Sequence, residues 1–142
     1  MINFTVYGEP NALKRHRTFR RGNVNINVDP SKGNKADFLA LSHANKPESP
    51  LDEPVKVDIC CHFSRAKGHY GTGKNSDKLK KSAPTYHTKT PDADNLGKFV
   101  CDALNGVFWR DDSCIAELTV TKVYTNDFKP RTDIHVASLE IT

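Results

Sequence analysis

The clearest structural pattern in this chain lies in the stretch Asp92-Ala93-Asp94-Asn95-Leu96-Gly97-Lys98-Phe99-Val100-Cys101-Asp102-Ala103-Leu104-Asn105-Gly106. Its apolar residues recur at helical spacing and so share one face: Leu96, Phe99, Val100, Ala103 and Leu104. Aspartates begin the segment and Asn105-Gly106 closes it, as is typical of helix termini. The pattern predicts an amphipathic helix whose start is capped by Asp92 or Asp94.

Alternating apolar and polar residues predict strands on both sides of this helix. The predicted strands cover residues 2–7, 24–28, 55–63, 115–124 and 133–141. A second helix is expected over residues 31–44, with Asp29 or Ser31 as its cap and Phe38, Leu39 and Leu41 as a weak apolar face. Residues 46–54 hold three prolines and predict a linker. Together these elements predict one α+β domain over residues 1–142, with a mixed sheet and two main helices.

Composition narrows the class of protein. The chain has 142 residues, of which 37% are hydrophobic and 27% charged, which suits one soluble domain. No apolar run approaches the roughly 18 residues of a membrane span, and the first residues lack a signal-peptide pattern. We therefore expect a cytosolic protein without a membrane partner. The four cysteines form no Cys-x-x-Cys pair, which favours reduced, buried thiols over a zinc site.

Positive charge is concentrated in two segments. Residues 14–21 carry five cations and no acid, and we predict a loop or arm there. Residues 64–90 are poor in large apolar groups and carry seven Lys or Arg against Asp77, which predicts a long, mobile basic loop. Such runs bind phosphate backbones, although many are only solvated loops. The predicted DNA-binding residues are Lys14, Arg15, Arg17, Arg20, Arg21, Lys74, Lys78, Lys80, Lys81 and Lys89.

Negative charge gathers between and beyond these segments. Asp92 and Asp94 stand two residues apart at the helix entrance, so their carboxylates can converge, and Lys98 lies one turn further on. Asp112 follows the helix, and only the fold decides whether it reaches the same place. Carboxylate oxygens select Mg²⁺ or Mn²⁺ over zinc. A hydrolytic metal site facing a polyanion would use these residues, with Lys98 stabilising negative charge at the reacting phosphate.

Each of these residues also has an ordinary structural interpretation. Aspartates at a helix start commonly accept hydrogen bonds from free backbone N–H groups. An Asp94–Lys98 pair at i, i+4 stabilises many helices by a few tenths of a kcal/mol. Asp111-Asp112 is also compatible with a simple turn. On the residues alone, the chain is either a metal-dependent nuclease or a DNA-binding protein without catalysis.

A resemblance favours the nuclease. The motif Pro91-Asp92-Ala93-Asp94-Asn95-Leu96-Gly97-Lys98, then Asp102-Ala103-Leu104 and Asp111-Asp112, resembles the signature of the RusA family of Holliday junction resolvases, D-x-D-N-L-x-K, D-A-L and D-D. The match covers roughly residues 89–123, and Lys122 and Tyr124 resemble the family's downstream strand. The remainder is similar only in its opening strand, its Pro10-Asn11 turn and its early basic residues, and the 65–90 segment is longer than in the family's compact form.

The resemblance implies a homodimeric endonuclease that uses Mg²⁺ or Mn²⁺ to nick four-way DNA junctions symmetrically, in recombination and repair. It implies that Asp92, Asp94 and Asp112 bind the metal and that Lys98 is the essential lysine. Such proteins are often phage-borne, which would place this one in the cytosol of a host cell. A nuclease for flaps or RNA remains an alternative, as does a non-catalytic DNA-binding module.

Six further residues have weaker expectations. Glu117 is expected to be a solvated strand residue. His69 and His87 are expected to be exposed loop histidines that could touch phosphate. Trp109 is expected in the core. Asn95 and Asp111 match the family motif without a clear role.

Overall fold

The computed structural model describes residues 1–140 and forms one α+β domain. Eight helices and strands follow one another along the chain: β1 (Ile2–Tyr7), β2 (Arg17–Arg21), β3 (Val24–Val28), α1 (Lys32–Ser42), β4 (Val55–Phe63), α2 (Ala93–Leu104), β5 (Ile115–Tyr124) and β6 (Arg131–Ser138). Short 3-10 helices cover His43–Asn45, Lys67–His69, Gly73–Asn75 and Asp112–Cys114. The two predicted helices and the mixed sheet are confirmed.

Four strands form the main sheet in the order β1-β6-β4-β5. The β4–β5 pair is parallel and the other pairs are antiparallel, so the sheet is mixed. A parallel pair needs a long crossover, and here the crossover contains the 64–90 loop and α2. The carboxylate-rich helix is therefore placed by the crossover that joins the parallel strands β4 and β5.

The core lies between one face of the sheet and the helices. Along β4 the burial alternates strictly, with Val57 and Ile59 buried while Lys56 and Asp58 on the other face are only half-buried. This is the two-residue period expected of a strand with one covered face. The apolar stripe of α2 faces this surface, and Leu96, Phe99, Val100, Ala103 and Leu104 are all buried. Trp109 is fully buried, as predicted.

Helix α2 approaches β5 closely at a glycine. A Cβ atom built on Gly97 would lie 3.0 Å from Cγ2 of Val120 and 3.5 Å from Cδ2 of Leu118. A side chain at this position would therefore push the helix away from the strand. Because Asp94 and Lys98 lie within one turn of Gly97, this contact fixes how far the charged face of α2 stands from β5.

Three sequence-based predictions need correction. The segment 14–21 is not only a loop, because Arg17–Arg21 forms β2 and pairs with β3 as an antiparallel hairpin. The last strand runs over Arg131–Ser138 rather than 133–141, and Ile141 lies outside the described residues. Leu41 does not join the apolar face of α1, since its side chain is 63% exposed.

The predicted helix caps are also only partly correct. Asp92 and Ser31 occupy the N-cap positions of α2 and α1, but neither side chain caps its helix. The Ser31 hydroxyl instead accepts a hydrogen bond from the backbone N–H of Lys14 at 2.9 Å, and Asp29 accepts one from the Ser31 N–H. Ser31 therefore joins the root of the hairpin to the start of α1.

The 64–90 loop packs against the sheet through aromatic side chains. The His87 ring stacks on Phe63 with centroids 4.0 Å apart, and His69 meets the edge of Tyr124. The Arg65 guanidinium lies over the same Tyr124 ring and donates to backbone carbonyls at Thr125 and Pro84. The expectation of exposed loop histidines is thus wrong, because both are half-buried. The mobility of the rest of this loop stays a prediction.

Burial in this cluster also affects protonation. It lowers the pKa of His87, helped by the positive charge of Lys122, and the Nδ1 atom of His87 is buried without a hydrogen-bond partner. The pKa of His69 is lowered by burial and by Arg65. Both shifts favour the neutral imidazole, which makes either ring a weaker cationic contact for phosphate.

Within residues 1–140 no helix is long and apolar enough to cross a membrane. All four cysteines are free thiols, with Cys61 and Cys101 buried and Cys60 and Cys114 half-buried. Cys60 and Cys61 point to opposite faces of the sheet, as their adjacency on β4 requires. The prediction of unpaired, largely buried cysteines is confirmed.

Candidate active site

The exposed face of α2 carries a row of charged side chains. Asp94, Lys98 and Asp102 succeed one another at intervals of four residues, which places them above one another on the same face. The Lys98 Nζ atom lies 3.8 Å from a carboxylate oxygen of Asp94, and both side chains are largely exposed. An exposed pair of this kind adds little stability. The row is therefore available to an external ligand.

Asp112 comes from the connection that follows α2. It begins a 3-10 turn, and its Oδ1 accepts a hydrogen bond from the indole N–H of buried Trp109 at 2.9 Å. Partial burial raises the pKa of Asp112, the Trp109 hydrogen bond opposes this, and the charges of Asp102 and Asp111 raise it further. The core tryptophan thus fixes the direction of a carboxylate that is close to other negative charges.

These groups meet at one cavity. Asp94, Lys98, Asp102 and Asp112 line a depression of about 400 Å³ between α2 and the start of β5, whose floor includes Leu118. Asp112 therefore lines the same depression as the carboxylates of the helix. Asp102 belongs to the motif but was not predicted as a site residue. Its four-residue spacing from Lys98 was the available signal.

Asp92 occupies a different position from the other three carboxylates. It lies at the entrance of α2, is exposed, and does not line the cavity. The Asp92 side chain makes no cap hydrogen bond, so the interpretation of Asp92 as a simple helix cap is not supported by its contacts. Asp111 fits its structural interpretation better, since its carboxylate accepts from the Ser113 N–H at 3.0 Å as the cap of the short turn.

The donor set suits a hard divalent cation by its chemistry. Its carboxylates supply hard oxygen ligands, and Asp112 is a half-buried carboxylate among like charges, which a cation would neutralise. The side chains as placed do not converge, however, and residues 1–140 contain no group of three His, Cys, Asp or Glu side chains close enough to hold a metal ion. Since the Asp94 side chain is 67% exposed, a rotamer change there meets little resistance.

The predicted DNA-binding cations are all exposed. Arg17, Arg20 and Arg21 lie on β2 of the hairpin, and Lys14 and Arg15 precede it. Lys74, Lys78, Lys80, Lys81 and Lys89 lie in the 64–90 loop. None of these ten residues makes an ion pair within the described part of the chain, so their charge remains available to a polyanion.

Two other features are separate from this cavity. Glu117 is exposed on β5 and pairs in register with Lys56, on the sheet face away from α2, which agrees with a solvated strand residue. That open face also holds a larger depression of about 590 Å³, lined by polar residues such as Asp58 and Asp133. It contains none of the predicted site residues, so size alone does not identify the active site.

Comparison with known proteins identifies the family of the chain. The family model described as Endodeoxyribonuclease RusA matches residues 7–137. The uncharacterized protein YqaN of Bacillus subtilis (strain 168) is 35% identical over 138 residues, which cover 95% of this chain and 94% of that protein. The family model thus places the chain in the class of endodeoxyribonucleases, and the carboxylate cavity and the exposed cations are compatible with that class.

The chain belongs to the RusA endodeoxyribonuclease family. The match includes the α2 motif, the hairpin and most of the sheet, so the membership applies to the whole fold rather than to a short motif. Proteins of this family act on branched DNA junctions.

Proposed function

We propose that this protein is a Mg²⁺-dependent endonuclease that resolves four-way DNA junctions by paired symmetric nicks, in recombination and repair within the cytosol. The observation that carries the proposal is that Asp94, Lys98 and Asp112 line one cavity in a chain of the RusA family. The exposed cations of the hairpin and of the 64–90 loop support a DNA substrate.

Asp92, Asp94 and Asp112 are the residues proposed to hold Mg²⁺, for which Mn²⁺ would substitute. When bound, such an ion polarises a phosphate oxygen and lowers the pKa of a water ligand. Trp109 keeps the Asp112 carboxylate oriented toward the cavity through its indole N–H. Lys98 supplies an exposed ammonium at the cavity, where it would stabilise negative charge on the scissile phosphate or its leaving oxygen.

A homodimer is part of the same proposal. A four-way junction presents two symmetry-related scissile phosphates, and a two-fold dimer presents two identical sites. Asp94, Lys98 and Asp112 of one chain line a single cavity, so one subunit would make one nick per encounter. A dimer makes both nicks without releasing the junction.

The test is cleavage of a labelled synthetic four-way junction beside a linear duplex of the same sequence, with Mg²⁺ and with EDTA. We expect symmetric nicks in the junction only, abolished by EDTA. Asp92→Asn, Asp94→Asn and Asp112→Asn should each lose nicking by at least about a hundredfold while binding the junction as tightly as wild type, because removing negative charge does not weaken attraction to DNA. Asp37→Asn, an exposed aspartate on α1, is the charge-matched control and should cut normally.

One observation favours a second candidate, a DNA-binding protein without catalysis. The carboxylates as placed form no three-residue ligand group within residues 1–140. This candidate predicts tight, salt-sensitive junction binding that Mg²⁺ leaves unchanged, and no nick under any condition. Flap and RNA substrates in the same assay separate the junction enzyme from a nuclease of different specificity.

A further inference from the structure

The hairpin of β2 and β3 has two chemically different faces. Cross-strand pairing places Phe19 opposite Ile26, Arg17 opposite Val28 and Arg21 opposite Val24, so these side chains share one face. The other face carries Thr18, Arg20, Asn25 and Asn27. A two-stranded ribbon in this protein therefore has an apolar face bordered by two arginines and a polar face with a third.

The apolar face is uncovered. All ten residues of the two strands are exposed except Ile26, which is half-buried, and Phe19 is 48% and Val24 63% exposed. An isolated hairpin is marginally stable in water, and a row of exposed apolar side chains makes it less soluble. We therefore expect this face to contact a ligand that itself has some apolar surface.

The charges around the face indicate which ligand. Residues 14–28 contain five cations and no acid, so the apolar face stands in a positive field. A nucleic acid combines phosphates for the arginines with base faces for an aromatic ring, and stacking on an unpaired base needs no particular sequence. In intact duplex the base faces are covered by their neighbours, whereas the branch point of a junction exposes them.

Both ends of the hairpin are attached to the helix that bears the carboxylates. Before β2, the Leu13 N–H donates to the carbonyl of Asn95 on α2 at 2.9 Å. After β3, Asp29 pairs with Lys35 at 2.6 Å, and the same Lys35 ammonium lies 3.9 Å from Asp102. At about 3.4 Å per residue the five residues of β2 extend about 17 Å. A ribbon of this length spans about five phosphates of one DNA strand, at about 3.4 Å per nucleotide.

We infer that the apolar face of the β2–β3 hairpin contacts the unstacked bases at the branch point of the junction, with the Phe19 ring stacked on a base and Arg17 and Arg21 on the flanking phosphates. This inference rests on the proposed function and adds the element that distinguishes branched from linear DNA. The attachment of both hairpin ends to α2 then sets the distance from the branch point to the nick.

The test measures binding in EDTA, with 2-aminopurine at the branch point of a synthetic junction and with a linear duplex as competitor. Wild type should unstack the probe and raise its fluorescence. Phe19→Ala should lose that signal and lower the junction-over-duplex preference about 5- to 100-fold, the effect of one lost aromatic stack, with duplex affinity changed less than about twofold. Phe19→Trp should restore both readings, whereas Phe19→Leu should not.

Two controls accompany these variants. Arg20→Ala, on the opposite face, should weaken binding to junction and duplex equally and reduce its salt dependence. Tyr7→Ala removes an aromatic ring that is 65% exposed at the end of β1 and should change neither reading. Thermal unfolding should be unchanged in Phe19→Ala because the ring lies outside the core.

The outcomes separate this inference from the proposed function. If wild type neither prefers nor nicks junctions, both are overturned. If wild type does both and Phe19→Ala retains the preference and the probe signal, only the inference is overturned. Full activity of Phe19→Leu would refute base stacking. Conversion of the protein to monomers by Phe19→Ala, seen in sedimentation, would show that the face joins two copies of the chain and would refute the inference as well.

Discussion

Gly97 provides the sharpest test of how the candidate site is positioned. It is buried inside α2, and a Cβ atom there would stand 3.0 Å from Cγ2 of Val120, below the ordinary contact distance of about 3.5–4.0 Å. Gly97→Ala should improve helix propensity by about 1 kcal/mol. It should also overpack the α2–β5 contact, which typically costs about 1–3 kcal/mol. We expect a net loss of stability between about 0 and 2 kcal/mol.

A second substitution should reverse the sign. In a Val120→Ala background the closest methyl group is gone, and the next neighbour of the new Cβ is Cδ2 of Leu118 at 3.5 Å, an ordinary contact. There Gly97→Ala should stabilise the protein by close to the full propensity gain of about 1 kcal/mol. The coupling between the two substitutions, about 1–3 kcal/mol, is thus the cost of the overlap itself.

The assay is urea unfolding of the four proteins in this double-mutant cycle, with Gly33→Ala as the matched control. Gly33 lies near the start of α1, and a Cβ there meets nothing within 4 Å, so Gly33→Ala should gain about 0.5–1 kcal/mol. Gly97→Ala should also reduce junction nicking more than its stability loss explains, because it moves Asp94 and Lys98 away from β5. Equal stabilisation at both glycines, or a coupling near zero, would refute the close-packing argument.

Three further predictions concern single groups. In EDTA, Asp112→Asn should stabilise the protein at pH 7 and have little effect near pH 3. Folding raises the pKa of the Asp112 carboxyl, so its ionised form lowers the stability of the folded protein as the pH rises through that pKa. Unfolding curves at the two pH values measure this difference. Asp29 has the opposite pH dependence: its pKa is lowered mainly by the Lys35 hydrogen bond, so its contribution to stability is lost as the pH falls through the acid range. Lys35→Gln should remove this pH dependence, as measurement of stability against pH would show. Burial raises the pKa of the Cys61 and Cys101 thiols to about 12, so maleimide at pH 8 should modify both only after unfolding, which mass spectrometry of labelled peptides detects.

The elements that were predictable from the sequence are those with a strong local period. Helix α2 has five apolar residues at helical spacing and is delimited by Asp92 at one end and Gly106, with φ of 79°, just beyond the other. Strand β4 alternates over nine residues, and its bounds were predicted without error. In both cases the apolar positions of the sequence pattern are the positions that the fold buries, and the polar positions face solvent.

Strand β2 was missed because it has no such pattern. Arg17-Thr18-Phe19-Arg20-Arg21 contains one apolar residue, and its partner strand covers neither face. The available signal was the two-residue connection Gly22-Asn23, in which Gly22 adopts φ of 63°. A Gly-Asn pair between two extended segments is a hairpin signal in its own right.

The contacts of the 64–90 loop could not be predicted for a different reason. His87 stacks on Phe63 and approaches Tyr124, residues that lie 24 positions before it and 37 after it. Only the parallel pairing of β4 with β5 brings those two strands side by side. Composition correctly indicated a polar segment without α-helices or strands, but the long-range contacts depend on the topology of the sheet.

The charge segregation seen in the sequence has a structural counterpart that the sequence did not predict. Acidic and basic residues are separated along the chain, yet the fold places them around one helix. Asn95 and Asp102 of α2 hold the two ends of the basic hairpin, the second through Lys35, while Asp94 and Lys98 of the same helix line the cavity. A displacement of α2 would therefore move the carboxylates and the DNA-binding arm together. Substitutions at the hairpin root should accordingly change the position of the cut, whereas substitutions on the hairpin strands should change affinity and leave that position fixed.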